Sequence, residues 1–154
     1  MTDERPSWDE TWLSVADTVG QRSKCSRAQV GAVIVTMDNR PVATGYNGPP
    51  RGLAVSGTCD NWCPRARGET ELGANYDECF TIHAETNALI RADFTQIQRG
   101  TIYVSHASCI SCAKSIANSG IARLVHRVGP GDAHRDPERV ERYLRQVGIS
   151  VSRG

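Results

Sequence analysis

Apolar residues near the start of the chain recur at helical spacing. Trp8, Trp12, Val15, Ala16 and Val19 share a face, Ser7 stands where an N-cap would, and Gly20 lies near the end, so the spacing predicts an amphipathic helix over residues 7–22. The period then changes. Val30 to Met37 and Pro41 to Tyr46 are β-rich runs joined by Asp38-Asn39-Arg40, which reads as a hairpin turn. After Gly45-Tyr46-Asn47-Gly48-Pro49-Pro50 no periodicity is sustained to about Phe80, and a stretch that long in a compact domain is functional, disordered or stapled. Order returns as alternation: helix over about 83–93, strand 100–105, helix 109–119, strand 121–127, helix 136–147 and a short strand near 148–152. Such alternation predicts a parallel arrangement with helices on both faces, and the opening hairpin makes the sheet mixed. In the last helix Val140, Tyr143, Leu144 and Val147 form the expected buried stripe, while Arg135, Arg139, Arg142 and Arg145 read as a solvated face.

Composition narrows the classes that remain. With 154 residues, 39% of them apolar, the chain can bury one core, so a single domain over 1–154 is expected, with a long irregular loop at about 48–80. The formal net charge is +1 and the cations are dispersed, which argues against a polynucleotide-binding surface and for a small substrate. The N-terminus from Met1 to Trp8 is acidic and polar, with no apolar run behind it long enough for a signal peptide or a membrane span. A cytoplasmic protein without membrane contact is therefore expected. In a reducing compartment the six cysteines read as metal ligands or free thiols rather than as disulfides.

Four chemically active residues fall at the starts of predicted helices. His83-Ala84-Glu85 opens one and Cys109-Ile110-Ser111-Cys112 the next, where backbone N–H groups and the helix dipole favour anionic ligands. A structural zinc site takes four protein ligands, whereas a catalytic one takes three and leaves a position to water. His83, Cys109 and Cys112 make three, and Glu85 is left over to move protons. His-x-Glu followed by Cys-x-x-Cys resembles the signature of the zinc-dependent nucleobase deaminases.

A closer resemblance is carried by longer stretches: Arg5-Pro-Ser-Trp-Asp-Glu10, Arg22-Ser-Lys-Cys-Ser-Arg27 running into Val30-Gly-Ala-Val-Ile-Val35, Thr44-Gly-Tyr-Asn-Gly48, Thr81-Ile-His-Ala-Glu-Thr-Asn-Ala88, and Tyr103-Val-Ser-His106 leading into Cys109-Ile-Ser-Cys-Ala-Lys114. Over most of residues 5–128 the sequence resembles the deoxycytidylate deaminase family. One departure is Ser108, where that family usually has proline. Serine is expected to start the helix by capping it where proline would pre-set its first turn.

The resemblance implies a three-layer α/β/α sandwich on a five-stranded mixed sheet, of the cytidine deaminase-like class. It implies hydrolytic deamination of dCMP to dUMP and ammonia at one catalytic zinc, supplying dUMP for thymidylate synthesis. It also implies a homo-oligomer, often a hexamer, regulated by dCTP and dTTP, with Mg accompanying a nucleotide effector. By position, Gly45, Tyr46, Asn47 and Gly48 become candidates for effector or sugar contacts, the alternative being a strand end with a glycine turn. Arg27 is a candidate for the 5′-phosphate, or else a surface arginine. His106 is a candidate for the phosphate or base edge, or else a structural histidine. The remaining cysteines, Cys25, Cys59, Cys63 and Cys79, could hold a second, structural zinc that staples the irregular loop, for which Cys59-x-x-x-Cys63 has suitable spacing. Free thiols or a partial site completed by a histidine are the alternatives. Among other functions, a deaminase of a modified dCMP, of a cytidine nucleoside or of another cytosine-type substrate shares the same chemistry. A catalytically silent, zinc-stabilised binding module would have no use for Glu85.

Overall fold

The computed structural model describes residues 4–70 and 78–154. The elements run α1 Trp8–Gly20, β1 Gly31–Val35, β2 Pro41–Tyr46, a 3-10 turn Cys59–Asn61, α2 Ala84–Arg91, β3 Thr101–Val104, α3 Ile110–Ala117, β4 Arg123–His126, a 3-10 turn Pro130–Arg135, α4 Pro137–Gln146 and β5 Ser150–Arg153. The five strands form one sheet in the order β2-β1-β3-β4-β5. β1 is antiparallel to both β2 and β3, while β3, β4 and β5 are parallel. The expected mixed sheet is therefore present, its antiparallel part made by the hairpin and its parallel part by the strand–helix alternation.

Strand periodicity divides the core in two. Ala32 and Ile34 of β1, with Ile102, Val104 and Leu124, face Ala84 and Ala88 of α2, Ala113 and Ile116 of α3, and Val140 and Leu144 of α4. Val33 and Val35, with Tyr103 and Val125, face Trp12, Leu13 and Ala16 of α1. One helix thus covers one face and three cover the other, giving the three-layer sandwich.

Ser7 caps α1 through a reciprocal box: its Oγ accepts from the Glu10 N–H at 3.2 Å and the Glu10 carboxylate accepts from the Ser7 N–H at 2.7 Å. The buried stripe differs from expectation. Trp12, Leu13, Ala16 and Gly20 form it, whereas Trp8 is 57% exposed and stacks on Trp12 with ring centroids 6.0 Å apart. The helix is rotated because it comes down close on β1 at Gly31, where a Cβ would lie 1.8 Å from the Ala16 carbonyl oxygen. Its first turn is anchored by Asp9, which takes two hydrogen bonds from Arg123 on β4, at 2.9 and 2.6 Å, and one from the Tyr103 hydroxyl on β3 at 2.9 Å. Burial alone would raise the Asp9 carboxyl, but these donors outweigh it and hold it below the usual carboxylate range.

α4 also departs from its expected pattern. Val140 and Leu144 are buried, but Val147 is 51% exposed and Glu141 is buried in the stripe. Glu141 is tolerated there because Arg153 donates to it at 2.7 Å and His126 Nε2 lies 3.2 Å away. Arg135 is not on a solvated helix face. It ends the 3-10 turn before α4 with its side chain only 12% exposed. Among the described residues no helix is long and apolar enough to cross a membrane.

Candidate active site

Two short helices begin side by side and bring their first residues together. α2 lies against β2 through a side-chain-free seam: a Cβ on Gly45 would sit 2.2 Å from the Ala84 carbonyl oxygen and 2.4 Å from the Ala88 nitrogen. Gly48 and Ile82 exchange backbone hydrogen bonds of 3.1 and 2.8 Å, which holds the residue before His83. Asn87 donates to the Tyr46 carbonyl at 2.9 Å and reinforces the same seam. His83 is the N-cap residue of α2, Cys109 is the N-cap residue of α3, and Cys112 lies in the first turn of α3.

The His83 Nδ1 atom lies 3.5 Å from Cys109 Sγ and 3.3 Å from Cys112 Sγ. Among the described residues these three are the one set of metal-binding side chains whose ligand atoms all lie within 4.8 Å of one another. Bond lengths of about 2.0 and 2.3 Å in a tetrahedral zinc site separate nitrogen and sulfur ligands by roughly 3.5 Å, so the donor set and its spacing fit zinc. Cys109 and Cys112 are also hydrogen-bonded to each other. The hydrogen bond from Cys112 pulls Cys109 down to about 4, and the same bond, with burial, pushes Cys112 up. Burial alone would lower His83, but its hydrogen bond to Cys109 and the charge of Glu85 leave it raised. Glu85, in the first turn of α2, is 3% exposed.

His83, Glu85 and Cys109 line a cavity of about 610 Å³. Asn47, Arg27 and His106 also line it, whereas Gly45, Tyr46 and Gly48 do not. The side chain of Asn47 accepts from the Val30 N–H and donates to the Ala28 carbonyl, each at 2.8 Å, so it frames the wall it belongs to. Arg27 donates to the Arg65 carbonyl at 3.0 Å, which places two arginines on one wall. The turn Pro130–Arg135 also lines the cavity, through Asp132, His134 and Arg135. Arg135 ties this turn to the segment before Cys109 by donating to the Ala107 carbonyl at 2.8 Å, and it also pairs with Asp132 at 3.4 Å. Sequence reasoning missed Arg65, Asp132 and His134 and assigned Arg135 to a helix face. The signal available was Gly129-Pro130-Gly131-Asp132, which breaks the pattern between a strand and a helix.

The other four cysteines line the same cavity and pair two by two. Cys63 and Cys79 have their sulfurs 3.8 Å apart, and Cys25 hydrogen-bonds Cys59. Backbone N–H groups point at each sulfur: Ala28 and Arg27 at Cys25, Ser26 at Cys59, Ala66 and Arg65 at Cys63, and Thr81 at Cys79.

Ser108 does not cap α3. Its Oγ is buried with no hydrogen-bond partner among the described residues, and Cys109 occupies the cap position. Its backbone N–H, which a proline would lack, instead donates to Nδ1 of the fully buried His126 at 3.3 Å. His126 then turns its Nε2 towards Glu141. Burial lowers the imidazole's basicity against the pull of Glu141, in keeping with a neutral ring that accepts at Nδ1 and donates at Nε2.

The family model for the cytidine and deoxycytidylate deaminase zinc-binding region matches residues 6–128. The deoxycytidylate deaminase of Mycobacterium phage D29 is 42% identical over 123 residues, covering 79% of this chain and 95% of the relative. That of Saccharomyces cerevisiae is 36% identical over 150 residues, where this chain spans 96% of its own length and 45% of the yeast protein. Among solved structures, the dCMP deaminase of the cyanophage S-TIM5 in complex with dCMP and dUMP superposes with a TM-score of 0.70 at 27% identity, covering 97% of this chain and 98% of that one.

The two roles of Ser108 separate by mutation. Ser108→Ala removes only the unpartnered hydroxyl and should leave stability unchanged or raise it by up to about 1 kcal/mol. Ser108→Pro removes the N–H from a buried acceptor and should cost about 1–3 kcal/mol. Urea unfolding of both variants checks this.

Proposed function

The chain belongs to the cytidine and deoxycytidylate deaminase family, and on that membership we propose that it converts dCMP and water into dUMP and ammonia, the dUMP serving thymidylate synthesis. The observation that carries this reading is the carboxylate of Glu85, buried in the same cavity as the His83–Cys109–Cys112 set. His83, Cys109 and Cys112 would hold zinc, which when bound would supply Lewis acidity that makes water nucleophilic near neutral pH. Glu85 moves the protons. It takes one from the attacking water, passes it to the ring nitrogen beside the reacting carbon, and delivers the next to the departing amine. A buried carboxylate keeps those transfers away from bulk solvent.

Arg27 serves the 5′-phosphate in this reading. Its held position beside Arg65 supports that role, because a guanidinium already fixed by one backbone carbonyl loses less freedom when it binds. His106, which lines the same cavity, contacts the same substrate in this reading. The candidate roles of Gly45, Tyr46, Asn47 and Gly48 in effector or sugar contacts are supported by the packing of Gly45 and Tyr46 against α2, through which a displaced β2 would move His83. Homo-oligomerisation, with a hexamer as the family form, is supported by Ile90 and Phe94, which are 74% and 63% exposed on one side of α2 and the turn after it. Regulation by dCTP and dTTP, with Mg accompanying a triphosphate, belongs to the same reading.

Cys25, Cys59, Cys63 and Cys79 take a second, structural zinc. Support comes from the backbone N–H groups directed at each sulfur, which favour the thiolate and work against the burial that raises Cys25 and Cys79. The 3.8 Å separation of Cys63 and Cys79 equals that of two thiolates sharing a tetrahedral zinc at about 2.3 Å. Zinc would draw the two pairs together and offset the ordering entropy of a loop with little apolar burial.

Ammonia release from dCMP, deoxycytidine and 5-substituted dCMP tests the activity, with dCMP expected to be used best. Arg27→Ala should lower kcat/KM for dCMP by on the order of ten-fold or more and leave deoxycytidine almost unchanged. Equal use of nucleotide and nucleoside by the unmodified protein would overturn the phosphate assignment. Glu85→Gln should keep the fold and its zinc while losing about 100- to 10,000-fold in kcat, as rate measurements beside metal analysis will show. For the cysteines, metal analysis should give two zinc ions per chain in the unmodified protein and one in Cys63→Ser. One in both would leave these residues as thiols.

A further inference from the structure

A hydrogen-bond chain runs from Gly31 through Ser105 to His106, which lines the cavity with His83 and Cys109. Ser105 is 6% exposed, and its Oγ accepts from the backbone N–H of Gly31 at 2.9 Å. The hydroxyl has one hydrogen to give. Among the described residues its one available acceptor is Nδ1 of His106, 3.1 Å away. Donation from Oγ–H to Nδ1 gives that hydrogen its one acceptor among the described residues. A neutral imidazole that accepts at one nitrogen carries its hydrogen on the other, so Nε2 of His106 is an N–H donor. Burial, aided by the nearby positive charge of Arg135, depresses the imidazole's pKa and favours the neutral form. His106 lines the cavity with Glu85, Arg135 and Asp132, yet no described residue accepts from Nε2.

We propose that Ser105 positions His106 as a fixed Nε2–H donor to an acceptor oxygen of the bound nucleotide, making His106 a specificity-determining residue of the deamination site. The inference rests on the proposed nucleotide substrate. Its logic is that of discrimination by unpaired groups: a site that offers a half-buried donor favours a ligand oxygen there and disfavours a ligand that presents a hydrogen or an alkyl group. The oxygen is either phosphoryl or a carbonyl or hydroxyl of the nucleoside, and both accept the same bond. Ser105 owes its own orientation to Gly31 at the start of β1, so the donor is set by the sheet rather than by a mobile loop.

Imidazole nitrogen NMR on the zinc-loaded protein reads the tautomer directly. His106 is expected as the Nε2–H form, with Ser105→Ala shifting it to the Nδ1–H form or a mixture and Ser105→Thr restoring it. Calorimetric binding of dUMP provides the second readout. His106→Gln places an amide N–H near the position of Nε2 and should keep dUMP affinity within about three-fold, while His106→Asn, which places it near Nδ1, should lose about ten-fold or more. If deoxyuridine affinity falls in parallel, the oxygen belongs to the nucleoside; if it does not, the oxygen is phosphoryl. The Nδ1–H form in the unmodified protein, an unchanged tautomer in Ser105→Ala, or equal losses for the Gln and Asn variants would overturn the proposal. Absence of dCMP turnover by the unmodified protein would count against the substrate reading and leave the tautomer result standing.

Discussion

Everything at this site depends on the meeting of two helix N-termini. α2 and α3 each span only eight residues, too short to be stable alone, and each is held by packing against the sheet through small residues, Ala84 and Ala88 in one and Ala113 in the other. Their starts supply N–H groups and partial positive charge where three ligand side chains converge. The Cys109 thiolate, beside the Cys112 side chain and backbone N–H, is stabilised before any metal arrives, so the scaffold lowers the cost of assembling that ligand. The remainder of the domain keeps these two ends in register.

The parts of this arrangement that are local in the chain were legible in the sequence. His83 to Glu85 and Cys109 to Cys112 carry their spacing with them, and strand–helix alternation predicts the parallel half of the sheet. The parts set by tertiary contact were not. Trp8 has the right period for the buried stripe of α1, yet the close approach of Ala16 to Gly31 turns the helix so that Leu13 takes the inward place. Glu141 looks like a surface residue until Arg153 and His126 are brought beside it from two strands. Arg135 sits only two residues before α4 and was read with it, but a 3-10 turn directs it at the cavity instead.

Ser108 illustrates the same division. Residue type alone suggests a hydroxyl that caps a helix, and that function is absent. What matters is a backbone N–H that any residue except proline would provide, together with a histidine eighteen positions away that accepts from it. No local rule links the two positions. The buried pair is visible only once β4 and the loop before α3 are side by side, and it extends through Glu141 to Arg153 on the last strand.

The seam between Gly45 and α2 behaves differently under sequence drift. At Ser108 the partner is a side chain, so a change at one position can be answered by a change at the other, and neighbouring lineages can reach the same geometry by separate routes. At Gly45 the partners are the carbonyl of Ala84 and the amide of Ala88, groups that every residue at those positions would present alike. No second substitution can make room for a side chain there. The path of descent is therefore open around the cysteine helix and closed at the histidine helix, although both deliver ligands to one point.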